Sequence, residues 1–169
     1  MKRFLRNYRL SVPAGILALT VLAWLLFGYF AVQKLFIDDT VSEAAPTFDA
    51  PAAAPAAPAT TIVTEANGSF VSREHDTSGT ATVLGDGSGQ RFLRFENFAT
   101  SNGPDLNVYL VNSRAGGVND YIDLGNLKGN IGDQNYEVPV GTDLAVYDTV
   151  IVWCVRFSAN FGDAVLVPV

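Results

Sequence analysis

The one cysteine of this 169-residue chain, Cys154, is the side chain best suited to chemistry. It lies in the run 150–157, whose β-branched and aromatic residues predict a strand with side chains alternating between two faces. This alternation places Arg156 on the face of Cys154, and a nearby cation favours the thiolate, which is the nucleophilic and metal-binding form of cysteine. The alternative is that Cys154 is a small buried hydrophobic residue. The opposite face is wholly apolar and is predicted to be core; it consists of Ile151, Trp153, Val155 and Phe157. Trp153, next to Cys154 in the chain, is predicted to support the site together with Arg156.

Several other kinds of site are excluded by the residues present. His75 is the only histidine, whereas a blue-copper centre needs two histidines and a cysteine, and zinc sites need more nitrogen and sulfur ligands than the chain offers. The glycine-rich run 85–89 matches neither a nucleophile elbow nor a dinucleotide-binding loop. The acids at 120, 123 and 133 lack the spacing of a calcium loop. We therefore predict no metal site, and the chain has no classical catalytic motif.

Charge is distributed unevenly along the chain. Residues 1–37 contain five basic residues and no acid, whereas the remainder contains the other six basic residues and all 17 acids, a balance of −11. A globular region this acidic lacks the basic surface that nucleic acid requires, so we predict no nucleic-acid partner.

From residue 68 onward, short apolar runs are separated by turn residues every 8–12 positions, a spacing typical of an all-β domain. We predict an antiparallel β-sandwich, or a barrel-like sandwich, of about eight strands over 68–169. The run 90–98 does not alternate cleanly, so it is either covered on both sides or bulged. The predicted strands are 69–74, 79–84, 90–98, 105–112, 121–124, 134–138, 148–157 and 163–168.

The N-terminal region predicts a membrane anchor. A basic segment, 1–9, precedes an uncharged apolar stretch, 10–32, which is long enough to cross a bilayer as a helix and too long for a cleaved signal peptide. Four basic residues precede this stretch and only Lys34 follows it closely, which predicts a cytoplasmic N-terminus. We expect a single-pass signal-anchor protein of the plasma membrane, contacting lipid through 10–32, with its C-terminal domain extracellular or periplasmic.

Residues 33–67 predict a linker. Acidic residues begin it, and prolines then recur among alanines, which opposes a stable helix and favours an extended chain. We expect an Ala/Pro-rich acidic spacer that holds the domain several tens of ångströms from the membrane.

Three segments together resemble a known family, the DM13 domain, often called "electron transfer DM13". They are 102–110, 122–139 and 152–164, and the stretch 69–80 resembles the start of the same domain. The similarity covers about 68–169. The middle segment is the most specific of the three. Its polar and glycine-rich residues suggest an ordered loop that either braces the sandwich or binds a ligand.

The resemblance implies a β-rich extracytoplasmic module in which Cys154 acts in redox chemistry, as a free thiol or as a haem ligand. Because thiolate and imidazole both ligate haem, His75 is a possible second ligand. No haem-binding or membrane cytochrome domain accompanies the module in this chain, so the electron donor would be a separate redox partner protein. The competing hypothesis is a stalked binding or structural module that carries no chemistry.

Overall fold

The computed structural model describes the backbone of residues 2–35, 37–48 and 61–169, and the side chains of the same residues except 2–11 and 35. It begins with a helix, α1 (Lys2–Ala23), which continues as a π-helical turn over Trp24–Tyr29 and is followed by a 3₁₀ turn at Val32–Leu35. The stretch Val12–Tyr29 has a mean hydropathy of 1.9 and no buried residue, so it is long and apolar enough to cross a membrane. The predicted N-terminal apolar helix is confirmed.

The helix is followed by the strands β1 (Thr40–Ser42), β2 (Val63–Ser69), β3 (Val71–Ser72), β4 (Thr77–Gly85), β5 (Arg91–Thr100), β6 (Leu106–Val111), β7 (Tyr121–Asn126), β8 (Ile131–Val138), β9 (Thr149–Cys154), β10 (Ala159–Val165) and β11 (Val167–Pro168). These strands form two facing sheets. The first contains six strands in the order β1, β8, β5, β4, β2, β11, and the second contains five in the order β3, β10, β9, β6, β7. All described pairings are antiparallel except that of β1 with β8. The sheets do not close into a barrel over the part of the chain that the structure describes. The all-β sandwich is therefore confirmed.

The core between the sheets is built around aromatic rings. Phe95 is fully buried, and its ring centroid lies 4.9 Å from that of Phe70 and 5.0 Å from that of Phe98. Strand β5 supplies both Phe95 and Phe98 because its register shifts between Phe95 and Ala99, where Asn97 takes a positive φ of 50°. The irregular pattern predicted for 90–98 is therefore a bulge, which lets two phenylalanines three positions apart face the same core.

The stretch 33–67, predicted as a spacer, contains β1 and the first part of β2, and the structure corrects the prediction there: these parts belong to the sandwich. Strand β1 pairs with β8, and β2 pairs with β4. Beyond β1, Glu43 binds Lys128 with a shortest N–O distance of 2.7 Å, and the Phe48 ring contacts that of Phe92 with centroids 5.3 Å apart. The most Ala/Pro-rich part of the predicted linker, 49–60, lies outside the described residues.

The docking of β1 explains why the middle segment is rich in glycine. Gly132 has a φ of 106°, and a Cβ there would overlap the carbonyl oxygen of Val41 in β1. A Cβ at Gly129 would likewise overlap the carbonyl oxygen of Asp39. The segment is a strand edge that receives the chain's own residues 39–42, so its glycines permit close backbone approach as well as turns.

Candidate functional site

Cys154 is the last residue of β9, in the interior of the second sheet. Its Cα partners are Leu106 in β6 and Ala159 in β10. The side chain is 0 % exposed and belongs to the main core together with Val150 and Val152. The thiol of the closed domain is therefore shielded from solvent.

The faces of β9 are opposite to those predicted from the sequence. Val152 and Cys154 point into the main core, whereas Ile151 and Trp153 pack with Tyr109 on the outer face of the sheet. The alternation itself was correct, but both faces are apolar near the strand end, because the outer face has a small apolar cluster of its own. Hydrophobicity alone therefore selected the wrong face as core. Trp153 is half-buried on the outer face and does not line the surroundings of the thiol.

Arg156 does not share a face with Cys154, because β9 ends at Cys154 and residues 155–158 form a turn. Its guanidinium carbon lies 4.8 Å from the ring centroid of Tyr29, at the end of the apolar helix, a cation–π geometry. The sequence-based reason for placing a cation beside the thiol therefore has no counterpart in the structure. The apolar neighbours of Arg156 in the turn, Val155 and Phe157, are 43 % and 56 % exposed, which corrects their predicted core positions.

His75 lies in the connection between β3 and β4 and is held against β10. Its ring stacks on Phe161 with centroids 3.8 Å apart and planes 28° apart, and its backbone N–H donates to the carbonyl of Phe161 over 3.3 Å. The two rings border a mostly apolar cavity of about 300 Å³, the lower end of the range for small-molecule sites. Its walls are Glu74, His75, Asn102, Gly103, Pro104, Phe157, Ala159 and Phe161.

This cavity lies near Cys154, because one strand residue is a neighbour of both. Ala159 lines the cavity and is also the Cα partner of Cys154. Cys154 itself is not among the lining residues, so the structure brings His75 and Cys154 into the same region without opening both into one space.

The two residues do not fit a shared haem. An axial ligand must present its sulfur or nitrogen to the iron, whereas Cys154 is enclosed by core side chains and the His75 ring lies flat on Phe161. Across the described parts of the chain, no three His, Cys, Asp or Glu side chains converge as a metal site. We accordingly derive no chemistry through a haem or a metal.

Comparison with known proteins identifies the domain. Residues 69–166 match the family described as "Electron transfer DM13". The chain belongs to the DM13 family. The match covers the sandwich from the end of β2 to the end of β10, including Cys154, His75 and all the residues that line the cavity. No curated protein and no solved structure matches the chain.

Sequence reasoning missed two structurally important residues of this DM13 domain, Phe161 and Asn130. Phe161 fell between the predicted strands 148–157 and 163–168, but it lies in β10, where a register shift between Asn160 and Gly162 turns its ring inward, against His75. Asn130 was assigned to a loop, although it is 2 % exposed and bonds to Asp38 and Asp39 from the start of the predicted linker. The glycine that follows Phe161 was the available signal for the first, since glycine within a strand often marks a bulge. Nothing local in the sequence signalled the second.

Proposed function

We propose that this chain is a membrane-anchored extracytoplasmic DM13 module that takes part in electron transfer through Cys154, acting as a gated thiol. The observation that carries the proposal is the position of Cys154 at the end of β9, directly before the exposed four-residue turn 155–158. A buried thiol at a strand end needs only local opening of a hairpin to become accessible, whereas a thiol in the middle of a strand needs the sheet to separate.

The chemistry open to one cysteine is limited. Because the chain has no second thiol, Cys154 cannot form an internal disulfide. It can exchange with a disulfide on another molecule. The Cys154 thiolate forms a new S–S bond, the partner's S–S bond breaks, and the sulfur that leaves as a thiolate takes up the proton that Cys154 lost. The partner disulfide is reduced as Cys154 is oxidised to a mixed disulfide, and a second external thiol must then resolve it. A separate redox partner protein with a disulfide or dithiol is therefore part of the proposal.

The test is mixed-disulfide formation in native buffer. The full chain is incubated with an aromatic disulfide that releases a coloured thiol, and the product is identified by intact mass. We expect one equivalent of released thiol and one adduct, with the sandwich still folded by circular dichroism, and the Cys154→Ala variant should give neither. Reaction that occurs only after denaturation would contradict the proposal.

The second candidate function is a binding or structural module without chemistry, and the complete burial of Cys154 favours it. Under this alternative the sulfur fills core space and the module acts through its surfaces. Inertness of the native thiol, together with an unchanged optical spectrum after addition of haem, would support this alternative over the redox function.

The proposed anchoring places the N-terminus in the cytoplasm and the sandwich outside the plasma membrane. It is supported by the apolar stretch Val12–Tyr29 and the basic residues before it. In intact cells, a membrane-impermeant thiol reagent should label a cysteine introduced at Val140, which is 80 % exposed, but not one introduced at Phe4. The reverse labelling pattern would mean that the orientation is wrong.

A further inference from the structure

The sandwich is tied closely to the end of the apolar helix. The Nδ2 of Asn102 donates to the carbonyl of Ile37 over 2.8 Å, and the buried Asn130 side chain accepts from the backbone N–H of Asp39 over 2.7 Å. Lys34 binds Asp39 with an N–O distance of 3.3 Å. Only a few residues therefore separate Tyr29, at the end of the apolar stretch, from residues that the sandwich holds.

This short connection determines which end of the sandwich is next to the helix. Asn102 precedes β6 and Asn130 precedes β8, so both lie at the end where β9 finishes at Cys154. The turn 155–158 is at the same end, and Arg156 reaches the Tyr29 ring. Tyr29 and Phe30 are themselves 49 % and 41 % exposed, at the end of the span where interface aromatics belong.

The turn 155–158 presents an exposed apolar tip beside that helix end. Val155 and Phe157 are 43 % and 56 % exposed, and the cation between them has an apolar stem. Large apolar side chains next to an arginine are suited to the boundary between acyl chains and headgroups. The apolar side chains insert there, and the guanidinium remains at headgroup depth.

We propose that the turn 155–158 is a second membrane contact, with Val155 and Phe157 inserted into the headgroup–acyl boundary of the bilayer that holds the helix. This proposal rests on the membrane anchoring proposed above. The occupant is lipid because the tip is continuous, through the Arg156–Tyr29 contact, with the end of the apolar helix.

The charges around the tip indicate which lipid chemistry it fits. Asp105 lies next to the turn, since its carbonyl accepts from the N–H of Val155 over 2.9 Å, and Glu74 shares the cavity wall with Phe157. These carboxylates offset Arg156, and Lys34, which lines a cleft with Asp105, is paired with Asp39. The described residues around the tip therefore present no net positive charge to anionic headgroups. The contact is therefore apolar insertion into zwitterionic lipid, and it should not weaken as salt rises.

The test uses the full chain in nanodiscs of phosphatidylcholine. A polarity-sensitive fluorophore is attached to Phe157→Cys in a Cys154→Ala background, and quenching is measured with spin-labelled lipid and with aqueous iodide. Val140→Cys, on the connection between β8 and β9 at the opposite end of the sandwich, is the matched control, and Leu19→Cys reports on the helix. We expect the label at 157 to be quenched several-fold more by lipid than by iodide, and the label at 140 to show the reverse.

The outcomes separate this inference from the anchoring itself. If the label at 19 is quenched by lipid but the label at 157 is quenched by iodide, the membrane contact is overturned and the anchor stands. The same conclusion follows if neither agent quenches the label at 157, which is the result expected when a protein partner covers the turn. If the label at 19 is not quenched by lipid, the anchor fails as well. Should Cys154→Ala impair folding, a photoreactive benzoylphenylalanine at 157 with Cys154 intact should form a lipid adduct detectable by mass, and one at 140 should not.

Discussion

The clamp between the N-terminal segment and the sandwich depends on Asn130, and Asn130→Ala should break it. The side chain is 2 % exposed and makes three hydrogen bonds: its Oδ1 accepts from Asp39 N–H over 2.7 Å, and its Nδ2 donates over 2.9 Å to both Asp38 and the carbonyl of Thr100. A typical hydrogen bond contributes about 0.5–1.5 kcal/mol net, and a bond to a charged group contributes more. The substitution should therefore lower the free energy of unfolding by about 2–4 kcal/mol.

Two measurements test this value, namely urea unfolding and hydrogen exchange of the amides of β1. We expect a lower urea midpoint and loss of protection over Thr40–Ser42, because β1 depends on the clamp for its register on β8. The matched control is Asn119→Ala, whose exposed side chain donates to the carbonyls of Ala115 and Gly116 and should cost no more than about 0.5 kcal/mol. Equal effects of the two substitutions, with β1 still protected, would refute the clamp and the short connection to the helix.

Three further substitutions and one pH titration test other parts of the structure. Cys154→Ala should lower the free energy of unfolding by about 1–2 kcal/mol, because it removes one fully buried heavy atom. Cys154→Ser should lower it by about 1–3 kcal/mol more than Cys154→Ala does, because the serine hydroxyl would be buried without a partner. Equal stability of the two variants in thermal unfolding would contradict full burial of Cys154. Trp153→Ala should lower the free energy of unfolding by about 1–2 kcal/mol, because Trp153 lies half-buried on the outer face. This is less than the 3–5 kcal/mol typical of a buried aromatic residue. A loss in that larger range, measured by urea unfolding, would mean that Trp153 faces the core, as predicted from the sequence. Burial opposes ionisation of Glu43, but hydrogen bonds from Lys128 and from the Asn135 N–H outweigh it and hold the pKa of Glu43 below its ordinary 4.5. Its stabilisation is thus fully present above pH 4.5 and is lost as the pH falls through the lower folded pKa. The protection factors of the amides over 40–48, corrected for the intrinsic pH dependence of exchange, should therefore fall on acidification, and they should respond less in Lys128→Met.

The existence of β4 to β9 could be predicted from the sequence, but β1 and the partners and faces of the strands could not. Alternation and turn residues located the strands because these signals are local. The faces of β9 were assigned wrongly because both sides of its end are apolar, and only the packing of Tyr109 on the outer face resolves that ambiguity.

The pairing of β1, within the predicted linker, could not be predicted for a different physical reason. Strand β1 is only three residues long and has no strong apolar alternation, so its pairing depends on Gly132 and Asn130, roughly ninety residues later. A sequence pattern within 33–67 contains no information about such a partner. The sequence singled out Cys154 and His75 as residue types suited to chemistry but did not show whether they lie near each other. The cavity beside His75 could not be predicted, because it depends on the inward turn of Phe161 at an irregularity in β10.

The docking of β1 changes how the domain relates to the membrane. Both segments that flank 49–60 pair with the first sheet, β1 with β8 and β2 with β4. The Ala/Pro-rich stretch is therefore a connection between two parts of the same sandwich. It cannot serve as a spacer between the helix and the domain, because residues 37–39 already bind the sandwich before it begins.

The most direct test of the gated thiol is the rate at which Cys154 is labelled in the native state at increasing, sub-denaturing urea concentrations. The dependence on urea reports how much surface is exposed when the thiol becomes accessible. The account predicts labelling through a small opening, with a free energy below that of global unfolding and a shallow urea dependence. It also predicts several-fold slower labelling in Ser158→Gly, because Ser158 has a φ of 52° in the turn and glycine would relieve that strain in the closed hairpin. Labelling with the same free energy and urea dependence as global unfolding would contradict the gated thiol and leave Cys154 as a residue of the core.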